Sequence, residues 1–170
     1  ITRNYPRIIL FKIGGVIDYR GIDDQVRINR SYCNIYGQTA QYPGITILGC
    51  DLSVSRDAHD ILIQHIKVRA GEDPTFGNTR TRDAISIYGS NVVIDHVSLS
   101  WSLDECAVVS PSGNNVTYSN CIISHPLKYS NNIDATYTNM NRTGFGGYLD
   151  GDHISMVRNL LAFSWDRNYF

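Results

Sequence analysis

Residues 91–100 read NVVIDHVSLS, and the same pattern recurs in register as DILIQHIKVR at 60–69, NVTYSNCIIS at 115–124 and HISMVRNLLA at 153–162. In each copy a polar residue comes first, and apolar residues follow at the second, fourth and last-but-one positions. The columns are Ile61, Val92, Val116 and Ile154; Ile63, Ile94, Tyr118 and Met156; and Val68, Leu99, Ile123 and Leu161. Alternation of this kind has the period of a strand, whose successive side chains point to opposite faces, and helical spacing does not reproduce it. The copies start 24 to 38 residues apart. Strands returning at such intervals, with connections of variable length, predict a solenoid whose coils stack like columns into one core. A β-sandwich also has many short strands, but nothing in it requires one column pattern across four segments. An all-β solenoid is therefore the expected fold class.

The flanking sequence fits more loosely. PRIILFKIGGVID at 6–18 and GITILGCDLSVS at 44–55 are strand-like runs bounded by Gly, Pro and Asp, joined through the turn-rich NIYGQTAQYPG at 34–44. No long amphipathic helix is visible. The segment 129–152, YSNNIDATYTNMNRTGFGGYLDGD, is rich in Asn, Gly and Tyr and is expected to loop out from its coil, on the flank where binding residues usually collect.

At 170 residues the chain is expected to form a single domain over 1–170. A net charge of −1 gives no electrostatic case for nucleic acid, whose phosphates call for clustered Lys and Arg. No apolar run approaches the 18 or more residues of a membrane-spanning helix, so no membrane partner is expected. Eleven tyrosines, fourteen glycines and 18% charged residues are the composition of a β-rich, polar-uncharged protein, and an extracellular, secreted location is expected. The four cysteines, Cys33, Cys50, Cys106 and Cys121, are too irregularly spaced for a disulfide framework or a zinc site and read as small buried hydrophobes.

The stretches YGQTAQYPGITI (36–47), RDAISIYGSNVVIDHVSLSWSLDE (82–105), NNVTYSNCIIS (114–124) and NLLAFSWDRN (159–168) together resemble the pectate lyases of polysaccharide lyase family 1. The likeness covers nearly the whole chain in the family's order, and its weight lies in four motifs occurring in sequence. It implies a right-handed parallel β-helix and cleavage of polygalacturonate by β-elimination. In that reaction a base takes the C5 proton beside the uronate carboxylate, calcium neutralises the carboxylate, and the glycosidic oxygen leaves from C4. A proton next to an ionised carboxylate is very weakly acidic until cations draw off that charge.

The resemblance also implies site residues. Asp83 matches a calcium-binding aspartate, with Thr81 where many members have a further one, and Asp104 or Glu105 matches the first acid of the next coil. The second acid of that coil falls on Val108 or Val109, so two expected carboxylates are missing and Ca2+ would be completed by water and substrate. Lys128 occupies the place of a substrate-carboxylate lysine, and Arg167 that of the catalytic arginine, although Tyr169 and Phe170 replace the Pro and Arg that usually follow. An arginine base is physically awkward, because the free guanidinium is almost always charged. Among aromatic residues that could stack on sugar, Trp101, Tyr129, Tyr137, Tyr148 and Trp165, the choice is Tyr129 and Tyr148, because their segment flanks the groove. His65 and His96 share a column with Asn120 and Arg158 and read as a structural polar ladder, while His125 is a weaker candidate for substrate contact.

Two other readings remain. The missing acids, and a chain that stops where the family continues with further coils, suggest a solenoid truncated at its C-terminal end. Such a chain could bind sugar or stack end to end with a copy of itself without catalysis. A β-helical glycoside hydrolase needs carboxylates flanking one bond, and Asp104 and Glu105, as neighbours on a strand, are expected on opposite faces.

Overall fold

The computed structural model describes residues 5–22, 24–71, 82–127 and 144–168. The first coil comprises β1 (Arg7–Leu10), β2 (Gly15–Asp18) and β3 (Val26–Ile28), and the second β4 (Cys33–Tyr36), β5 (Ile45–Leu48) and β6 (Leu52–Val54). Then come β7 (His59–Gln64), β8 (Ile66–Arg69) and β9 (Ile85–Ile87), followed by β10 (Ser90–Asp95), β11 (Ser98–Ser100) and β12 (Glu105–Val109). The fifth coil is β13 (Asn114–Ser119), β14 (Ile122–Ser124) and β15 (Phe145–Leu149), and β16 (Asp152–Val157) and β17 (Leu160–Ala162) follow it. Every third strand pairs in parallel with the one before it, giving three sheets ordered β1-β4-β7-β10-β13-β16, β2-β5-β8-β11-β14-β17 and β3-β6-β9-β12-β15. The fold is a right-handed parallel β-helix, as the repeat and the resemblance imply.

The sequence columns coincide with the pairing register. Val92 stands beside Ile61 and Val116, Ile94 beside Ile63 and Tyr118, and Leu99 beside Val68 and Ile123. All nine side chains are buried, and they form the centre of a single core that runs through the described coils. Each ten-residue copy, however, is two strands rather than one. The chain turns from the first sheet into the second at His65, His96, Asn120 and Arg158, all with φ of 53° or 54°. The polar residue that opens each copy is a second corner of the same kind: Asp60, Asn91, Asn115 and His153 have φ between 52° and 56°. This left-handed region is costly for most L-residues and least so for Asn and Asp, with His also enriched there. The polar columns are thus corners that bend the coil while their side chains face outward.

These corners are tied to one another. The rings of His65 and His96 stack at 4.6 Å, and Asn115 donates to Asn91, which donates to Asp60. Asp95, beside the His96 corner, accepts from Gln64, Ser119 and Asn120 and pairs with His96. Burial acts to raise the Asp95 carboxyl, but these donors outweigh it and hold the group well below its ordinary range. Trp101, at the end of the same alternating run, is half exposed at a third corner with φ 63°, and does not join Val97 and Leu99 in the core. Gly37, in the quoted YGQTA turn, is required sterically, since a Cβ there would lie 2.2 Å from the His65 carbonyl oxygen.

All four cysteines are free and buried. Burial pushes the thiols of Cys50, Cys106 and Cys121 up to about 11, so they stay protonated as packing groups. The expected loop over 129–152 is corrected at its far end, where Phe145–Leu149 forms β15 of the third sheet and Asp152 opens β16. Two adjacent glycines gave that strand the appearance of a loop. Gly146 is there because the chain returns close to it: a Cβ would meet the Arg167 carbonyl oxygen at 2.6 Å.

Candidate active site on the third sheet

The third sheet positions the candidate site. Asp83 lies two residues before β9 and Glu105 opens β12, and the pairing of Ile85 with Ala107 sets these two acids side by side on neighbouring coils. The alignment is locked by the backbone: Ala84 N–H donates to the Glu105 carbonyl at 3.1 Å, and Glu105 N–H donates to Asp83 Oδ1 at 3.2 Å. Asp104 lies in the bend before β12, where the N–H groups of Leu103 and Asp104 both donate to the Arg82 carbonyl. One carboxylate oxygen from each of Asp83, Asp104 and Glu105 lies within 4.8 Å of the others. This corrects the expectation that Asp104 and Glu105 point to opposite faces. Strand alternation does not reach Asp104, because the strand begins after it.

The electrostatics of the cluster are strained. The Asp83 carboxyl is pushed up to about 7, chiefly by burial, with Asp104 and Asp51 adding repulsion and the 2.8 Å hydrogen bond from Ser86 Oγ opposing it. Arg167 Nη1 contacts Glu105 Oε1, and its guanidinium lies 4.1 Å over the Phe145 ring and 5.6 Å from the Tyr148 ring. Arg167 reaches this position because Asp166 bridges to Phe145 in parallel register and Gly147 N–H donates to the Arg167 carbonyl. Three carboxylates and one guanidinium therefore leave a surplus of negative charge. The donor set is all oxygen, which suits a hard divalent cation over zinc or a softer metal. The Asp/Asp/Glu cluster can coordinate such a cation, with coordination completed by water or substrate because Asp83 already accepts from Ser86 Oγ and the Glu105 N–H, and the Glu105 carboxylate pairs with Arg167.

Of the other residues singled out by sequence, Tyr148 lies on the outer face of β15, and its hydroxyl donates to Asp150 at 2.9 Å. That contact raises its hydroxyl above the ordinary range. Lys128, Tyr129, Tyr137 and Thr81 lie outside the described residues. Val109 is wholly buried in the core, whereas Val108 stands between Ser86 and Tyr148 on the outer face, so Val108 is the position facing the groove. His125 is exposed and stacks on Phe163 at 4.5 Å, with no described contact to the acids. Sequence reasoning missed Ser86 and Phe145. Ser86 could have been found as the outward residue of DAISI next after Asp83; Phe145 was hidden within the glycine-rich segment.

No family model and no solved structure matches the chain. Among curated proteins it is similar to the probable pectate lyase C of Aspergillus terreus, 35% identical over 164 residues, or 95% of this chain and 34% of that protein. The probable pectate lyases C of Emericella nidulans and Aspergillus flavus are 35% and 34% identical over 164 residues, with the same coverage. The chain thus spans about a third of the length of these relatives. Across 95% of its length the chain is pectate-lyase-like at the family level, at 34–35% identity to these relatives.

Proposed function

We propose that the chain carries the catalytic face of a polysaccharide lyase that cleaves polygalacturonate by calcium-assisted β-elimination. The observation that carries this reading is the convergence of Asp83, Asp104 and Glu105 with Arg167 on one face of the third sheet. Asp83, Asp104 and Glu105 would hold Ca2+, which when bound supplies the charge that acidifies C5 of the uronate. Glu105 is shared between the cluster and Arg167, so a cation held by the three acids would loosen the pairing with the guanidinium and favour the neutral form that a base requires. In that neutral form Arg167 takes the C5 proton, the electron pair left on C5 forms the C4–C5 double bond, and the C4–O bond breaks with its electrons on the departing sugar oxygen, which takes a proton from water. Phe145 and Tyr148 flank the guanidinium and restrict its motion and hydration. Lys128 would bind a uronate carboxylate, and Tyr129 and Tyr148 would pack against sugar rings. Because the polymer cannot cross a membrane, we place the protein outside the cell; its recovery from culture medium rather than from cells checks that placement.

The test is the ultraviolet absorbance of unsaturated product from polygalacturonate, with calcium and with chelator. Calcium-dependent product is expected, and no product in either condition refutes the reading. A second reading, a sugar-binding or self-assembling solenoid without catalysis, draws on Val108 standing on the outer face where the resemblance expects an acid. Concentration-dependent sedimentation without product would favour it.

A further inference from the structure

The acid cluster occupies only part of the outer face of the third sheet. The pairing Arg27–Ser53–Ser86–Val108–Tyr148 defines one continuous column across five coils, with Ser86 hydrogen-bonded to Asp83 at its centre. Toward the first coil this face opens into a groove of about 380 Å³ whose lining includes Arg27, Asp51, Ser53, Ser55, Arg56 and Tyr88. Turned with its amide nitrogen toward Asp51, the Gln25 side chain donates to Asp51 and accepts from Arg27, which fixes one wall. Arg56 is different: it is exposed and makes no hydrogen bond or ion pair among the described residues. Tyr88 is 39% exposed in the same groove.

We propose that Arg56 and Tyr88 form a second anchoring site for a uronate unit, independent of calcium, beyond the far ends of β6 and β9 from Asp83. The inference rests on the reading that the substrate is a polyuronate. An unpartnered guanidinium offers paired N–H donors whose geometry matches a carboxylate, and a neutral sugar has no group that needs it. An adjacent exposed phenol ring offers a face to the C–H surface of a pyranose. Tyr88 is five residues beyond Asp83 on the same coil, roughly 16 Å along the strand direction, and Arg56 is one coil further, so an oligomer of several units is needed to span both places. The acid cluster requires a cation before it can accept a uronate, whereas the arginine groove does not. The two ends therefore divide the work: one holds the chain and the other polarises the unit to be cleaved.

Calorimetric titration of the wild type, Arg56→Gln and Arg56→Lys with a hexa-uronate in chelator tests the proposal without turnover. The wild type is expected to bind, Arg56→Gln to bind about three- to tenfold more weakly, and Arg56→Lys to recover part of the loss. A fully methyl-esterified hexamer should show no difference between wild type and Arg56→Gln, and a di-uronate titrated with calcium should be unaffected by the substitution. Absence of wild-type binding in chelator, equal hexa-uronate affinity in wild type and Arg56→Gln, or an equal loss for dimer and hexamer would each overturn it. Failure of the lyase reading looks different: no unsaturated product forms with calcium, while the Arg56 dependence of hexa-uronate binding persists.

Discussion

Replacing Asp83 by Asn tests the charge balance of the site through stability alone. The side chains are nearly isosteric: the Asn carbonyl can still accept the Glu105 N–H, and its amide can donate to Ser86 Oγ. What changes is titration. The Asp83 carboxyl is raised to about 7 from an ordinary 3.8, so the folded state holds its proton more tightly than the unfolded chain does. Its contribution is therefore fully present below the unfolded value and is lost as pH rises from about 4 to about 7. At about 1.4 kcal/mol per pH unit, that window corresponds to a loss of roughly 4 kcal/mol, an upper bound because relaxation and water entry reduce it. The Asp95 carboxyl is lowered on folding, so its contribution is lost only as pH falls below about 4, outside this window. Urea unfolding in chelator between about pH 5 and pH 8 should show wild-type stability falling with pH and Asp83→Asn remaining nearly flat. Calcium, which binds the ionised cluster in the folded state, should restore wild-type stability at the alkaline end. Equal pH slopes in wild type and Asp83→Asn would refute the argument that this carboxylate is strained by burial and its acidic neighbours.

Three further outcomes follow from the same coordinates. Val108→Asp adds a carboxylate on the outer face beside Ser86, and calcium affinity should rise roughly tenfold by titration, with lower stability in chelator; unchanged affinity would show that position 108 does not reach the cluster. Tyr118 is wholly buried with no partner for its hydroxyl among the described residues, so Tyr118→Phe should be neutral or stabilising by up to about 1 kcal/mol in urea unfolding, and a loss greater than that would reveal a partner. Ile94→Ala empties a fully buried core column and should lose about 2–5 kcal/mol, whereas Ile122→Ala, 47% exposed on the second sheet, should change stability by well under about 1 kcal/mol; similar losses for the two would contradict the core assignment.

The columns of the repeat were legible in the sequence because a stacked parallel coil presents each core position to the equivalent residue of the next. Apolar identity at Val92, Ile94 and Leu99 is therefore repeated at the matching positions along the chain. The division of each copy into two strands was not legible, since one residue with positive φ at His96 or Asn120 changes the chain's direction without interrupting its alternation. The positive φ at Trp101 likewise ends the alternation, and Trp101 is half exposed although it stands in parity with Val97 and Leu99.

By itself the sequence determined an all-β solenoid and its register, because stacking copies the chain's own period into space; Asp83, Asp104, Glu105 and Arg167 were singled out by the family resemblance. Only the tertiary structure decided how those groups meet. The β9–β12 register sets Asp83 beside Glu105, and the bend at Asp104 releases its side chain from strand alternation. The Gly146–Gly147 strand lets the Arg167 backbone approach closely enough for its guanidinium to reach Glu105. These contacts join residues up to 62 positions apart. A local pattern records which face a residue takes, and it carries no information about which other coil supplies the neighbour or what charge that neighbour brings.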